Sequence, residues 1–205
     1  MSLLAFAVAA LLLAITPGPG IAYVVARTAA GGRGEGLASC LGTGLGGLVH
    51  VAASALGLSL LIAQSAIAFD TVKYVGAAYL AYLGLRMLLR RGAAADVPQL
   101  AASGARRAFV EGIVVESLNV KTALFFLAFL PHFALPAQPL APQLLVLGTV
   151  CVVLNTLVDV VAVFAAARLL RTNTARQARA RVMQRVSGGV MLALAAYLVS
   201  TRRAT

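Results

Sequence analysis

The sequence is short of charged residues, and acidic residues are the rarest of them. Of its 205 residues, 11% are charged and only 6 are Asp or Glu, whereas 61% are hydrophobic. A soluble domain carries about 25% charged residues, so this composition excludes an ordinary soluble protein. The mean hydropathy of +0.94 is typical of a chain that lies mostly in lipid. The composition therefore predicts an all-α integral membrane protein.

Cysteine and catalytic patterns are scarce as well. The two cysteines, Cys40 and Cys151, lie in separate apolar runs without the clustered Cys/His spacing of a metal site. We expect both to be packing residues. No apolar run carries a nucleophile beside its base or an H-E-x-x-H helix, so an enzyme is disfavoured. No metal and no cofactor is expected.

The apolar runs predict six membrane spans in one domain, residues 1–205. A span needs roughly 20 apolar residues. The runs are at residues 3–25, 37–63, 72–89, 109–130, 143–167 and 182–200. The first run has no Lys or Arg before it and no small-residue cleavage site after it, so we read it as a retained span rather than a signal peptide. Loops are predicted at 27–36, 92–104, 131–142 and 168–181.

The net charge of +11 comes from 17 basic and 6 acidic residues. The basic residues lie mostly between the apolar runs, which favours anionic lipid head groups over nucleic acid as the partner. The connections after spans one, three and five hold 13 of them, against 3 on the opposite side. Both termini should therefore lie outside. The basic stretch 171–185 is either an interfacial helix or a solvated loop, and the loop is preferred.

Residues Thr16, Pro17, Gly18, Pro19 and Gly20 interrupt the first span. Proline removes a backbone donor and glycine relaxes the chain, so this cluster should end one helix and begin another. Within a bilayer, non-helical backbone survives only where it is buried in protein or lines a cavity. Because transporters bind substrate at such breaks, the cluster predicts a substrate site. The alternative is a kink that serves packing alone.

The second span contains Gly-x-Gly-x-x-Gly at residues 42–47. This pattern fits a dinucleotide fingerprint, but the fingerprint requires a strand before it and a soluble βαβ unit around it. Gly42 and Gly46 instead predict a small-residue face for close helix packing.

The chain also carries signs of an internal repeat. The Gly42-Thr43 pair returns as Gly148-Thr149, and the break at residues 16–18 has a counterpart at residues 119–121. The two offsets, 106 and 103 residues, are similar. Three spans in each half is an odd number, so the halves (about 1–91 and 106–201) are predicted to be inverted repeats.

Three charged residues lie well inside predicted spans, away from the span ends. A charge at the membrane centre costs about 2.5–3.5 kcal/mol on insertion scales, so Glu116, Lys121 and Asp159 should face protein or water. Glu116 and Lys121 are separated by about 140° around a regular helix and do not pair unless that helix is broken. Lys121 with Asp159 is the preferred pair, with a structural and a functional role weighted almost equally. His50 is either a proton carrier or, as we favour, a packing residue.

The sequence resembles the LysE/RhtB amino-acid exporters. The matching pieces are Thr16-Pro17-Gly18-Pro19, then Gly42, Gly46 and His50 with Gly57-Leu58, then Lys73 with Gly76-Ala77-Ala78-Tyr79-Leu80 and Gly84, then Asn119-x-Lys121 with Phe125-Phe126, and Leu130-Pro131-His132-Phe133. The resemblance covers the first five spans in order. Two positions differ from the family pattern: Val120 replaces a proline, and Gly20 replaces a residue that is often polar. Both differences bear on substrate choice.

The resemblance implies a secondary active exporter of amino acids or their derivatives, driven by proton entry. A neutral, hydrophilic substrate such as threonine or homoserine is expected rather than lysine, in the inner membrane of a bacterium. The substrate carboxylate would lie at the helix that starts after Gly18, with Asn119 and Lys121 in the site. Asp159, Glu116 or His50 would take the substrate ammonium or a coupling proton. A homo-oligomer is left open, and so are a membrane-embedded enzyme or a structural subunit.

Overall fold

The computed structural model describes residues 3–58, 66–89, 100–135, 138–169 and 173–200. Within these ranges it contains helices and no strand, as predicted from composition. Seven α-helices follow one another there: α1 Leu3–Ile15, α2 Pro19–Ala53, α3 Ala66–Leu89, α4 Ala105–Ser117, α5 Val120–Ala128, α6 Leu140–Leu169 and α7 Asn173–Ser200. A short π-helix, Ser54–Leu58, continues α2, and a 3-10 helix, Leu130–Phe133, follows α5.

The prediction of a loop at residues 27–36 is wrong, because the chain stays helical there except for a reversal over two residues. Gly31 and Gly32 leave the helical conformation inside α2, and Gly32 has a φ of +73°, which glycine adopts without a steric cost. A Cβ on Gly36 would collide with the hydroxyl of Thr28. Residues eight apart in a straight helix are separated by roughly 12 Å, so α2 must fold back on itself.

The reversal divides α2 into a first arm, residues 19–30, and a second arm, residues 33–53. Arg27 and Glu35, whose charges favoured a loop, are only 3% and 6% exposed. Their side chains form a salt bridge across the hairpin, with Nη1 and Oε2 3.5 Å apart. The charges are therefore paired between the arms and are not solvated.

Glycines hold the second arm against α4, as predicted for Gly42 and Gly46. A Cβ on Gly42 would collide with the carbonyl oxygen of Phe109, and a Cβ on Gly46 would lie 2.6 Å from that of Ile113. A Cβ on Gly112 of α4 would in turn meet the backbone of the second arm. We call this contact the glycine seam. Because backbone touches backbone along it, the second arm and α4 are closely joined.

The other helices pack around these two. α2 also contacts α6, α1 contacts α6, and α3 packs along α7. Aromatic side chains of α5 and the residue after it fill the core: Phe125, Phe126 and Phe129 are at most 1% exposed. The rings of Phe125 and Phe129 stack with centroids 5.1 Å apart. The short helix α5 is thus fixed at the centre of the bundle.

By length and composition, two helical stretches of the described residues could cross a membrane, Pro19–Gly57 and Leu140–Arg168, and the first of them contains the reversal at Gly31 and Gly32. A bent pair, Ala105–Ser117 with Val120–Phe133, adds a third if it counts as one span. The helices Leu4–Ile15 and Gly188–Ser200 are apolar but shorter. The six-span arrangement is not confirmed by these findings and stays a prediction.

The prediction of a solvated loop for the basic stretch is also wrong, because helix α7 begins at Asn173 and includes most of that stretch. Most of the loop predicted at residues 92–104 lies outside the described residues. So do Arg202 and Arg203 of the charge count. The orientation in the membrane and the inverted repeats of residues 1–91 and 106–201 therefore stay predictions.

Candidate functional site

The predicted break in the first span is present. Helix α1 ends at Ile15, and α2 begins at Pro19 with Gly18 as its N-cap in an extended conformation. Thr16 turns its hydroxyl back onto the carbonyl oxygen of Leu12, 2.7 Å away. Proline at the first helical position fits a helix start, since it has no N–H to satisfy. The non-helical part is shorter than predicted, because Gly20 already lies in the first turn of α2.

The start of α2 carries free backbone donors. The first N–H that is bonded at this end belongs to Ala22, which donates to the carbonyl oxygen of Gly18 at 3.0 Å. Within the described part of the chain, no protein group accepts from the N–H groups of Gly20 and Ile21. Unpaired N–H groups and the helix dipole make this end partly positive, which suits an anion.

A second break separates α4 from α5, at the predicted counterpart position. The two helices are bent by 47°. Asn119 forms the break from both sides: its Oδ1 accepts from the N–H of Lys121 at 3.1 Å, and its Nδ2 donates to Glu116 Oε2 at 3.0 Å. Val120 stands at the first position of α5. An asparagine N-cap therefore suffices to break the helix without the proline of the family pattern.

The carboxylate of Glu116 lies at the positive end of α2. Its Oε1 accepts from the Thr122 hydroxyl at 2.6 Å and its Oε2 from Asn119, so both oxygens act as acceptors, as an ionised carboxylate requires. Gly20 makes room for it, because a Cβ there would collide with Oε2. The negative charge and the amino-terminal end of α2 stabilise one another.

The predicted pairing of Lys121 with Asp159 is wrong. Lys121 Nζ donates instead to the carbonyl oxygens of Thr16 at 2.8 Å and Leu13 at 3.2 Å, at the carboxyl-terminal end of α1. A Cβ on Gly18 would lie 3.0 Å from Nζ, so glycine lets the lysine chain pass. A cation is favourable at this end of a helix, and the broken α1 offers carbonyl groups that no helix satisfies.

Asp159 lies apart from these groups, on α6. It is 1% exposed, and its Oδ2 accepts from the Thr43 hydroxyl of the second arm at 3.2 Å. Among the salt bridges of the described residues, none includes Asp159. A buried carboxylate without a cation is costly, which makes Asp159 a candidate functional residue.

His50 has a packing role in this structure. Its Nε2 lies 2.7 Å from the carbonyl oxygen of Glu116 and must donate, because a carbonyl only accepts. The same oxygen accepts from the N–H of Asn119 at 2.9 Å. The imidazole is 7% exposed and lies beside Phe126. His50 therefore stabilises the end of α4, and its part in proton coupling stays a prediction.

A cavity of about 10 Å³ lies beside Glu116, close to the space that one water needs. Neutral polar side chains make up much of its wall: Thr43, Thr122, Asn155 and Thr156. Neither Thr43 nor Thr122 was predicted as a site residue; hydroxyl side chains within apolar runs are the signal that points to them. No group of three His, Cys, Asp or Glu residues within the described ranges is placed to hold a metal ion.

Comparison with known proteins gives a family and several relatives. The LysE type translocator family matches residues 11–202. A homoserine/homoserine lactone efflux protein of Salmonella typhi is 35% identical over 157 residues, 75% of each chain. The corresponding protein of Salmonella typhimurium is 34% identical over the same share. An uncharacterized membrane protein of Bacillus subtilis, YrhP, is 32% identical over 165 residues, 76% of this chain and 79% of its own. No solved structure shows a significant match to this chain.

Proposed function

This chain belongs to the LysE type translocator family, and on that premise we propose that it is a secondary active exporter of an amino acid or an amino-acid derivative. It is a multi-pass membrane transporter and not an enzyme. The substrate, the driving ion and the location in the bacterial inner membrane belong to the proposal.

One observation carries the proposal: two broken helices meet, and each supplies what the other lacks. Lys121 lies on the negative end of α1, and Glu116 lies at the positive end of α2. Both side chains come from the two sides of the α4–α5 break. Helix ends inside a membrane are costly unless they are satisfied. Here Lys121 satisfies the end of α1, and the N–H groups of Gly20 and Ile21 stay free beside the carboxylate of Glu116, so that the carboxylate and the ammonium of an amino acid are both matched.

The substrate carboxylate binds the free N–H groups of Gly20 and Ile21, where the helix dipole favours an anion. The substrate ammonium binds the carboxylate of Glu116, which is oriented by a hydrogen bond from Asn119. Thr16, Pro17, Gly18 and Pro19 keep the ends of α1 and α2 apart so that these donors stay free, and Lys121 holds the end of α1.

The cavity wall favours a neutral, hydroxylated substrate. Its neutral polar groups are suited to a side-chain hydroxyl, and among the described residues that line it no acid besides Glu116 can receive the second ammonium of lysine. Two relatives are named as efflux proteins of homoserine and homoserine lactone, which agrees with this class of substrate. Homoserine or threonine is therefore the proposed cargo.

Efflux from preloaded vesicles tests the function. Purified protein in lipid vesicles that contain radiolabelled homoserine, threonine or lysine should release the first two faster than lysine, and faster than protein-free vesicles do. Release of no amino acid above the protein-free rate would rule out the exporter and favour a structural subunit, the alternative from a different class.

Asp159 is the proposed proton site, because it is buried with one hydroxyl donor. Asp159→Asn keeps the shape and the bond to Thr43 but cannot exchange a proton. The variant should fold with normal yield and still exchange substrate across the vesicle membrane. It should, however, fail to concentrate substrate when a pH gradient is imposed.

Asp70→Asn is the matched control, since Asp70 is an exposed acid on α3. It should respond to the gradient as the unchanged protein does. If Asp159→Asn still concentrates substrate against its gradient, Asp159 has no part in coupling, and Glu116 becomes the next residue to test.

A further inference from the structure

A second cluster of charged residues lies outside this site, and Arg27 is at its centre. The guanidinium is almost fully buried. Its Nη1 donates to the carbonyl oxygen of Ala101 at 3.1 Å and to the hydroxyl of Ser103 at 2.6 Å, and its Nη2 donates to Glu111 of α4. One side chain of the first arm therefore holds both α4 and the segment that precedes it.

Glu35 holds the same segment from the second arm. Its Oε1 accepts from the backbone N–H groups of Ser103 at 2.8 Å and Gly104 at 2.7 Å. Its Oε2 faces Arg27 without a hydrogen-bond partner. We call Arg27, Glu35, Glu111 and residues 101–104 the latch.

The latch and the proposed substrate site both lie at the interface between the first arm and α4, one after the other along the helices. Gly20 lies beside Glu116, and the Tyr23 hydroxyl lies 3.0 Å from the carbonyl oxygen of Ala108. Arg27 then meets Glu111. Seven residues separate Gly20 from Arg27, roughly 10 Å along a helix. The Tyr23 hydroxyl also accepts from Arg27 Nε at 3.0 Å and lies 3.1 Å from Glu111 Oε2, so Tyr23 reinforces the latch on the helix face that leads to the site.

Each of these two places has a hollow. At the latch, a cleft of about 210 Å³ is lined by Arg27, Glu111 and residues 100–103. At the site, the cavity beside Glu116 has only about 10 Å³. The side chains of the latch and Tyr23 lie between the two, so the site is closed from this direction.

The two faces of α4 differ in how firmly they are held. The second arm is joined to α4 by the glycine seam, where backbones touch. The first arm contacts α4 with polar side chains: Tyr23 binds the carbonyl oxygen of Ala108, and Arg27 binds Glu111. The first arm also connects to the second through Gly31 and Gly32, a two-glycine reversal. Movement of the first arm away from α4 would therefore leave the glycine seam intact, while it shifts the first arm against the second where Thr28 meets Gly36.

We propose that the latch is the cytoplasmic gate of the transporter, and that release of Arg27 from Glu111 and residues 101–104 opens the path from the cleft to the site. The inference rests on the proposed function and on the predicted orientation, which places the Gly31–Gly32 reversal in the cytoplasm. Hydrogen bonds to charged groups are strong enough that the loss of one shifts such an opening by about tenfold or more.

Cys151 provides a reporter, because it lines the site cavity and Cys40 is the other cysteine of the sequence. In a Cys40→Ala background, a membrane-impermeant methanethiosulfonate reagent is applied to inside-out vesicles. Labelling of Cys151 should be slow with the latch intact and about tenfold faster or more in Glu111→Gln and Arg27→Gln. Arg107→Gln is the matched control: Arg107 also binds Glu111 but is 69% exposed, so its loss should change little.

Unchanged labelling in both latch variants would overturn the gate, and so would an increase seen only in right-side-out vesicles. If Arg27→Gln does not fold, Glu111→Gln and Ser103→Ala carry the test. Labelling needs no transport. If the unchanged protein releases no amino acid but the latch variants label faster, the proposed function is wrong and the gated path stands. If efflux is normal but labelling does not change, the proposed function stands and the gate is wrong.

Discussion

Replacing Gly20 with valine is expected to abolish efflux while the protein still inserts into the membrane. Any side chain at this position collides with Glu116 Oε2, so the carboxylate must move away from the start of α2. A displacement of about 1 Å in a positioned group can cost on the order of 10²-fold in rate. The measurement is the initial rate of homoserine or threonine release from vesicles, normalised to the amount of reconstituted protein.

Gly34→Ala is the control for this change. It adds a methyl group to the same helix α2, at a position where a Cβ meets nothing within 4 Å. Its efflux should match that of the unchanged protein. Normal efflux in Gly20→Val would mean that the approach of Glu116 to α2 is not needed, and the proposed ammonium site would have to be abandoned.

Replacing Lys121 with methionine is expected to destabilise the protein strongly. Methionine has a similar length but no donor, so the carbonyl oxygen of Thr16 loses its partner inside the bundle, whereas that of Leu13 keeps the N–H of Thr16 at 3.2 Å. Each buried, unsatisfied polar group costs roughly 1–3 kcal/mol. The yield of monodisperse protein and its thermal unfolding temperature in detergent should both fall.

Val120→Ala, one residue away and half exposed, should leave both measurements unchanged. The double variant Lys121→Met with Asp159→Asn separates two structural accounts. A direct ion pair predicts that the second change restores much of the lost yield, because no charge is then left alone. The observed contacts predict little recovery, since the two side chains have separate hydrogen-bond partners. Recovery in the double variant would contradict the contacts described here.

The broken helices are the part of the fold that the sequence predicts best. Two prolines and two glycines in five residues have few structural solutions, and the structure places a helix end at Ile15 and a helix start at Pro19. The break at Asn119 was predicted from its resemblance to the first one, not from a breaker residue. The glycine face at Gly42 and Gly46 was equally readable, because small residues four apart lie on one side of a helix.

The partners of the buried charges were not predictable in the same way. Opposite charges suggested Lys121 with Asp159, but carbonyl groups at a broken helix end also attract a cation and occur at every sequence position. Which carbonyl groups are free depends on where α1 stops in three dimensions. A pattern of residue types therefore identifies the charges that need a partner and leaves the partner open.

The hairpin of α2 was missed for a related reason. Arg27 and Glu35 flank a glycine-rich stretch, and polarity with glycine is the usual signature of a solvated loop. Their burial follows from contacts with residues 101–104 and Glu111, which are more than 65 positions away in the chain. Local sequence reading has no access to such contacts, so it predicted a loop where the chain forms two helices and a two-residue turn.

The side chains of Lys121 and Glu116 carry opposite charges on one short stretch of chain. Any displacement of that stretch along the membrane normal moves a cation and an anion together. The electrical work of the membrane potential, about 2.3 kcal/mol per elementary charge at 100 mV, then cancels. In the proposed transporter, the voltage across the membrane therefore does no net work on this stretch, whereas it does act on charge that is added to the bundle, such as a proton bound by Asp159.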